Sequence, residues 1–408
     1  MDLASSPSPS HTASPAARMH WLARFSAGDW LYFIGVVIAA GIAFSRYGQF
    51  MDGYDTAILF LHVPLLIALG LAWRPFRQFA AIVAALALAS IWLYQGDLTR
   101  AEDVINKDTK EVVTKGVFFL KYLLSSQTAI TWMSAFFFIG TGAYWLGFAA
   151  RSDFAERTGS VMTWGAVVMG TTGLFVRWYE SYLIGPDTGH IPVSNLYEVL
   201  VLFSIITALL YLFYEGRYNT RKLGAFVLPV ISVAVLFMLW YSLSGSASQI
   251  QPLVPALQSY WLKIHVPANF IGYGGFAIAA MTGIAYLLVS SGILANRLPK
   301  PDMLEDVMYK AIAIGFAFFT IATILGALWA AEAWGSYWQW DPKETWALIV
   351  WINYAVWLHM RLTRTLRGEM LAWWAVVGLF VTTFAFVGVN LILPGLHSYG
   401  APTMQPSP

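Results

Sequence analysis

The sequence contains no cysteine among its 408 residues. A chain without thiols forms no disulfide and supplies neither a thiolate metal ligand nor a thiol nucleophile. Charged residues are also scarce, at 11%, whereas 58% of the residues are hydrophobic and the net charge is only +2. This composition excludes an ordinary soluble domain, offers no basic patch for nucleic acid, and predicts an integral membrane protein. Its seven histidines are then the expected metal ligands.

Familiar catalytic motifs are missing as well. The sequence has no nucleotide-binding glycine-rich loop, no H-E-x-x-H motif and no G-x-S-x-G elbow, and it shows no internal repeat. Function therefore has to be sought in the membrane segments and the loops between them.

The long apolar segments predict an all-α polytopic bundle of about eleven transmembrane helices. Their predicted bounds are 29–46, 56–73, 77–94, 128–149, 160–176, 195–214, 224–242, 267–291, 310–331, 343–363 and 370–393. Lys and Arg concentrate in the loops that follow even-numbered spans, which predicts that these loops and the N-terminus are cytoplasmic and that the C-terminus lies outside. Residues 1–28 read as a disordered cytoplasmic tail, 401–408 as a periplasmic tail, and the outer loop 95–127 as a solvated hairpin or surface helix.

One outer loop is dominated by aromatic residues. Residues 334–346 read W-G-S-Y-W-Q-W-D-P-K-E-T-W, which places Trp334, Tyr337, Trp338, Trp340 and Trp346 within thirteen residues. Trp and Tyr favour the membrane–water boundary, and such a dense run predicts a flat apolar platform there.

The acidic part of this stretch has a structural explanation. Asp341 is a predicted N-cap, Pro342 follows at the first helical position, and Glu344 completes a capping box. Asn195 and Glu198 repeat the same pattern at the start of the sixth span, where a structural role and a site role stay open. Asp341 is thus predicted to support the aromatic residues that precede the helix.

Two histidines lie at the outer mouth of the bundle, at the level of the Trp-rich loop. His265 precedes the eighth span and His397 follows the eleventh. Imidazole is a standard axial ligand of haem iron, so the pair is predicted to clamp a planar metal macrocycle beside the aromatic platform. The alternative is that each is an ordinary interfacial histidine.

The remaining histidines fall elsewhere. His359 lies seventeen residues beyond Pro342, or about 26 Å along the helix, so it sits near the cytoplasmic end and cannot share the outer site. It is either a metal ligand whose mate comes from another chain or a side chain that snorkels toward the basic loop. His62 lies inside the second span, where an ionisable residue is a functional candidate, but a bond to a neighbouring carbonyl would explain it equally. His190 is predicted to be a solvated loop residue. His11 and His20 belong to the amino-terminal tail.

The Trp-rich stretch resembles the signature of the "WWD" family of haem-handling membrane proteins, and within it the System II cytochrome c biogenesis proteins of CcsA/ResC type (labelled CcsB in some bacteria). The resemblance covers about residues 127–400, the eight-helix haem-handling domain, and leaves 29–126 as an amino-terminal extension of three helices and a periplasmic loop.

The resemblance implies a function. His265 and His397 look like the family's outer haem ligands, which would act in catalysis, and His359 looks like the intramembrane ligand. Trp334, Trp338, Trp340, Trp346 and Asp341 would also bind the haem. The family implies haem b as substrate and ligand, a CcsB/ResB-type membrane partner that supplies the second intramembrane ligand, apocytochrome c as acceptor, and thiol-reducing proteins as indirect partners.

The expected activity is delivery of haem across the bacterial inner membrane and its covalent attachment to apocytochrome C-x-x-C-H motifs on the periplasmic side, as part of a holocytochrome c synthase (haem lyase). A haem transporter or chaperone without ligation activity, similar to CcmC, is the main alternative. A di-haem electron-transfer protein would need paired helix histidines at matched depths, which the sequence lacks. A haem-free solute transporter is the third alternative.

Overall fold

We describe the fold from a computed structural model, in which the described residues are 25–97, 117–185, 187–243, 248–393 and 395–397. Within these ranges the chain is helical and contains no β-strand, which confirms the predicted all-α fold class. The predictions for residues 1–24, for most of the loop 95–127 and for the tail 401–408 fall outside the described residues, as do His11 and His20.

The helices are numbered here in chain order. They are α1 (Ala27–Tyr47), α2 (Gly53–Ala72), α3 (Pro75–Asp97), α4 (Ser126–Ala150), α5 (Asp153–Ile184), α6 (Leu196–Tyr218), α7 (Gly224–Leu243), α8 (Tyr260–Ser290), α9 (Pro301–Trp334), α10 (Pro342–Leu362), α11 (Glu369–Thr383) and α12 (Val389–Ile392). A π-helical turn, Phe384–Gly388, joins α11 to α12 without a break.

Ten of the helical segments in the described part of the chain are long and apolar enough to cross a membrane. The tenth predicted span, 343–363, is the one missing from these ten: it forms the 21-residue helix α10, which is too polar to meet the same criterion. Its polarity comes from Lys343 and Glu344 in the first turn and from His359 and Arg361 in the last turn. The protein is a polytopic helical membrane protein, and the span with the weakest apolar signal is the one that follows the Trp-rich loop.

The described chain divides into two units at Ala81–Ile82, within α3. In the first unit, α1 begins with a capping box between Ser26 and Asp29, and Asp29 also forms an ion pair with Arg77 of α3. Most side chains of α1 and α2 are exposed, as expected for helices that face lipid. The His62 ring donates through Nδ1 to the Ile58 carbonyl at 2.6 Å, which is the structural explanation predicted for that residue.

In the second unit, α8 is the helix around which the others pack. It contacts α9 along its length and also contacts α6, α7 and α11, while α4 pairs with α5 and α10 lies against α9 and α11. Gly275 of α8 allows the close approach to α9, because a Cβ there would lie 2.7 Å from the Ala311 carbonyl oxygen. The Phe276 and Tyr354 rings stack at 3.5 Å and join α8 to α10.

The helices α8 and α9 are longer than a bilayer requires. They contain 31 and 34 residues, which corresponds to about 46 and 51 Å at the usual rise, against a hydrocarbon core of about 30 Å. The sequence prediction placed the apolar span at 267–291, with His265 before it. The helix instead begins at Tyr260 with Ser259 as N-cap and contains Pro267 internally, so His265 lies on α8 rather than before it.

Candidate functional site

The Trp-rich loop between α9 and α10 is fixed at both ends. α9 ends at Gly335, whose φ of 76° is the left-handed conformation that glycine favours. α10 begins with the predicted capping box: Asp341 accepts from the Lys343 N–H at 3.1 Å, and Glu344 accepts from the Asp341 N–H at 3.2 Å. Glu344 also accepts from the Gln339 N–H at 2.8 Å, so the two carboxylates define the course of the loop backbone.

Asp341 also holds the segment that follows α12. Its Oδ2 lies 2.8 Å from Nδ1 of His397, and its Oδ1 accepts from the Leu396 N–H at 2.7 Å. Gly395 makes this approach possible, because a Cβ at that position would overlap the Asp341 carboxylate. The helix cap is therefore also the residue that orients His397.

The protonation states of this pair follow from its surroundings. Burial lowers the pKa of His397, and the hydrogen bond to Asp341 opposes this effect only in part. Burial raises the pKa of Asp341, but the hydrogen bonds that its carboxylate accepts, led by that from His397, outweigh it and hold the pKa below its usual range. At neutral pH the pair is a carboxylate and a neutral imidazole that carries its proton on Nδ1. The Nε2 lone pair of His397 is then available to a metal.

His265 is oriented in the same way by a different acceptor. Its Nδ1 lies 2.7 Å from the Ala322 carbonyl oxygen on α9, so Nδ1 is the donor and Nε2 keeps its lone pair. Gly326 leaves room for the ring, since a Cβ there would lie 2.9 Å from Cε1 of His265. Neither Nε2 atom makes a hydrogen bond to a described residue, and both rings line one cavity of about 190 Å³.

Trp329 lies against both imidazoles, and the sequence analysis missed it. Its ring centroid is 6.0 Å from that of His265 and 5.5 Å from that of His397. Its Nε1 donates to the Ala256 carbonyl at 2.8 Å, which fixes the ring in place. Its position five residues before Trp334 could have indicated that it belongs to the same aromatic cluster. It was interpreted only as part of an apolar span.

The aromatic residues of the loop do not form one flat platform, contrary to the prediction. Trp334 packs edge-on against His397 with centroids 4.7 Å apart, and Trp338 lines the cavity together with Tyr337. Trp338 and Trp340 are nearly perpendicular, at 87°. Trp340 has a φ of 59° and its side chain is 68% exposed, because the backbone turns there to present Asp341 as the N-cap.

Trp346 and His359 lie away from the cavity. Trp346 packs against Phe384 of the π-helical turn, with centroids 4.4 Å apart. His359 is exposed on the last turn of α10, at the opposite end of the helix from Asp341, and its ring makes no hydrogen bond to a described residue. The structure thus brings His265, His397, Trp334 and Trp338 together at one end of α10 and leaves His359 at the other, as the helix rise predicted.

His190 was predicted to be solvated, and this prediction was wrong. The ring is buried, with Nδ1 2.7 Å from the Thr188 carbonyl oxygen and Nε2 3.1 Å from the Ser194 hydroxyl. Ser194 in turn donates to Glu198, which forms a buried ion pair with Arg177 at 2.7 Å. Arg177 is therefore a structural residue.

The two imidazoles of the cavity suit a planar metal macrocycle better than a bare metal ion. No group of three His, Cys, Asp or Glu residues suited to a metal ion occurs in the described ranges. A macrocycle already supplies four ligands to its metal, so the two imidazoles with free Nε2 atoms would be enough to hold it. The aromatic walls around them suit the apolar faces of such a ring.

Comparisons with known proteins agree on one family. The family model described as "Cytochrome C assembly protein" matches residues 193–397. The curated "Cytochrome c biogenesis protein CcsA" of Chlamydomonas reinhardtii is 42% identical over 235 residues, which are 56% of this chain and 64% of that protein. Its namesake in Chlorella vulgaris is 36% identical over 300 residues, or 64% of this chain and 92% of that protein.

A solved structure shares the fold. The "Cytochrome c Heme Lyase CcmF" matches with a TM-score of 0.51 and 15% identity, over 69% of this chain and 51% of that one. At this identity the likeness concerns the arrangement of helices alone.

Proposed function

The chain belongs to the cytochrome c assembly protein family, among the CcsA-type cytochrome c biogenesis proteins, and from this premise we propose that it delivers haem b across the bacterial inner membrane and attaches it to apocytochrome c. The proposed site is the cavity of His265 and His397, on the periplasmic face. The N-terminus is then cytoplasmic and the C-terminus periplasmic.

One observation carries this proposal: two imidazoles from distant parts of the chain enter one cavity with Nδ1 bonded and Nε2 free. His265 donates to a main-chain carbonyl and His397 to the Asp341 carboxylate. A hydrogen bond at Nδ1 fixes the tautomer and the ring plane and raises the basicity of the ligand. This is the arrangement that an axial ligand pair requires before the iron arrives.

The side chains of the cavity would act mainly by positioning. His265 and His397 would hold the iron, and the rings of Trp334, Trp338 and Trp329 would contact the macrocycle and exclude water. The thiols of a C-x-x-C-H segment add across the haem vinyl groups, so each S–H proton goes to a vinyl carbon as the S–C bond forms. Holding vinyl and thiol together is the contribution expected of the protein, and a cavity wall without cysteine removes a competing thiol.

His359 would serve a separate, earlier step. An exposed histidine near the cytoplasmic end of α10 is suited to bind haem together with a histidine of a CcsB/ResB-type partner, because no second histidine of this chain lies beside it in the described residues. Thiol-reducing proteins would keep the apocytochrome cysteines reduced. The isolated chain would then load poorly from this side without its partner.

The test combines haem content with product. His265→Ala and His397→Ala variants of the full chain, purified with the partner, should lose most of the outer-site haem and of the holocytochrome c formed on a reporter apocytochrome. His62→Ala is the matched control, since that ring bonds only its own helix. Wild-type haem and product in both variants would refute the outer site.

The reporter also separates ligation from transport. If this chain and its partner alone attach haem to the reporter, the chain is part of the synthase. If haem reaches the periplasmic face but attachment needs a further protein, the chain is a transporter or chaperone. For the inner site, His359→Ala should weaken the haem absorption of the complex, and an unchanged spectrum would count against it.

A further inference from the structure

A cationic side chain shares the cavity with the two imidazoles. Lys343, in the first turn of α10, donates from Nζ to the Phe386 carbonyl at 2.8 Å and to Oδ1 of Asn390 at 3.0 Å. Both acceptors belong to the segment from the π-helical turn into α12, and both Lys343 and Asn390 line the cavity.

No ion pair balances the charge of Lys343: burial disfavours its ammonium form, and the nearby Asp341 carboxylate favours that form without direct contact. No carboxylate oxygen of the described residues lies within ion-pair distance of its Nζ. Asp341 is occupied by His397 and by main-chain N–H groups, and Glu344 caps the loop backbone. An ammonium removed from water without a counter-charge costs several kcal/mol, so such groups are normally paired.

Its hydrogen bonding is also incomplete. An ammonium has three N–H donors, and the described residues accept two of them, both through neutral oxygens. The other printed neighbour of Nζ is the Phe386 ring, whose centroid is 5.8 Å away, too far for a hydrogen bond. A neutral amide side chain would be enough to link α10 to this segment. The positive charge and the remaining donor therefore point to a ligand in the cavity, in contrast to Arg177, whose charge is met by Glu198.

We propose that Lys343, with Asn390 beside it, is a carboxylate-binding corner of the cavity that takes a propionate group of haem. This inference rests on the proposed function, which supplies the haem. A carboxylate there would accept the third N–H and provide the missing counter-charge in a single contact. Because the propionate and vinyl groups of haem lie on opposite edges of the ring, the contact would also turn the vinyl edge away from Lys343.

The test uses two probes that differ only at the carboxylates: haem b and its dimethyl ester. Both are titrated into the purified full-length chain and followed by Soret absorbance. The wild type should bind haem b roughly tenfold or more tightly than the ester, the gain typical of a hydrogen bond to a charged group. Lys343→Gln should bind the two probes about equally, while Lys343→Arg should keep the preference.

Lys263→Gln is the matched control, because Lys263 is on α8 at the same end of the bundle, does not line the cavity and stacks over Tyr260. It should discriminate as the wild type does. Three results would overturn the inference and leave the proposed function intact. They are equal affinity of the wild type for the two probes, a Lys343→Gln variant that still prefers haem b, and a Lys263→Gln variant that has lost this preference. Failure of the wild type to bind either probe overturns the proposed function and this inference with it. If Lys343→Gln does not fold, the wild-type and Lys343→Arg ratios decide.

Discussion

Asp341 and His397 are 56 positions apart in the sequence, yet Oδ2 of one lies 2.8 Å from Nδ1 of the other. The same carboxylate starts α10 by accepting the Lys343 N–H. A helix cap at the start of one span thereby sets the orientation of a ring that follows another span. Mutations at Asp341 therefore separate helix capping from the orientation of His397.

Asp341→Asn should leave the fold in place and weaken haem binding. Asn caps helices as well as Asp does, but an amide cannot serve as the anionic acceptor for the imidazole. Loss of the hydrogen-bond acceptor that orients a metal-binding histidine typically lowers metal affinity about 10- to 100-fold. The measurement is Soret titration of the purified chain, with thermal unfolding to verify the fold.

Glu332→Gln is its control, since Glu332 is an exposed acid on α9 that accepts from Ser259 and does not contact His397. The control should bind as the wild type does. An Asp341→Asn affinity within twofold of the wild type would contradict the role given to this carboxylate.

The ligand-free protein should show His397 titrating below pH 6.5, the ordinary value, because burial disfavours the imidazolium. The Asp341 bond opposes this shift, so Asp341→Asn should move the titration to still lower pH. Histidine-labelled protein followed by NMR gives the midpoint, with the signal assigned by its loss in a His397→Asn variant. A midpoint above 6.5, or a rise in Asp341→Asn, would contradict the prediction.

The same shifts fix how acid affects stability. The folded pKa of Asp341 is depressed, so its contribution is present above its unfolded pKa and is lost as the pH falls through the folded value. The pKa of His397 is also lower in the folded protein than its ordinary value of 6.5. Between the two pKa values the unfolded chain therefore binds more protons at this residue than the folded chain does. Both groups therefore make the fold less stable as the pH falls.

Gly326→Ala should displace His265 without disrupting α9. The new Cβ would lie 2.9 Å from Cε1 of the ring, and overpacking of this kind costs about 1–3 kcal/mol. We expect reduced Soret absorbance per chain while helix content stays the same. Gly142→Ala is the matched control, because no atom lies within 4 Å of its Cβ position; equal haem content in the two variants would refute the prediction.

Arg177→Met should destabilise the protein strongly without a specific effect on haem. It would leave Glu198, of which the side chain is only 1% exposed, as an unpaired charge, a change that costs about 3–5 kcal/mol. Arg177→Met/Glu198→Gln should recover much of the loss. The measurement is thermal unfolding in detergent.

Lys310→Met provides the comparison, because the side chains of Lys310 and Asp306 are 47% and 42% exposed and lie 2.7 Å apart. An exposed pair contributes at most about 1 kcal/mol, so this variant should change little. Similar unfolding temperatures for Arg177→Met and Lys310→Met would show that burial does not distinguish the two pairs.

Local patterns in the sequence predicted the parts of the site that depend on neighbours in the chain. The capping box of Asp341 and Glu344 and the separation of His359 from the Trp-rich end of α10 both follow from helix geometry, and the structure has both. The start of α8 was wrong because the predicted bound marked where the apolar segment begins, whereas the helix begins one to two turns earlier, at Tyr260, with Ser259 as its N-cap.

Relations between distant segments could not be predicted. Nothing in the sequence links Asp341 to His397, or Trp329 to both imidazoles, since these contacts exist only after α8, α9 and α12 have come together. The prediction of a flat aromatic platform was wrong for a different reason. The left-handed backbone at Trp340 turns its ring outward, and the number of aromatic residues in a segment does not predict such a backbone conformation. The prediction for His190 was wrong because a histidine in a polar loop can be buried when both of its ring nitrogens find partners within that loop.

The π-helical turn Phe384–Gly388 determines how α12 is rotated about the helix axis relative to α11. A π-helical turn contains one more residue than the α-helical turn it replaces, so everything beyond it is rotated by about 100° relative to a regular continuation. Deleting one residue there would restore regular spacing and rotate Asn390, and the chain leading to His397, away from Lys343 and Asp341. A change of even one residue in the length of the chain between α11 and His397 would therefore misalign these contacts. Insertions and deletions in this segment should be far less tolerated than substitutions.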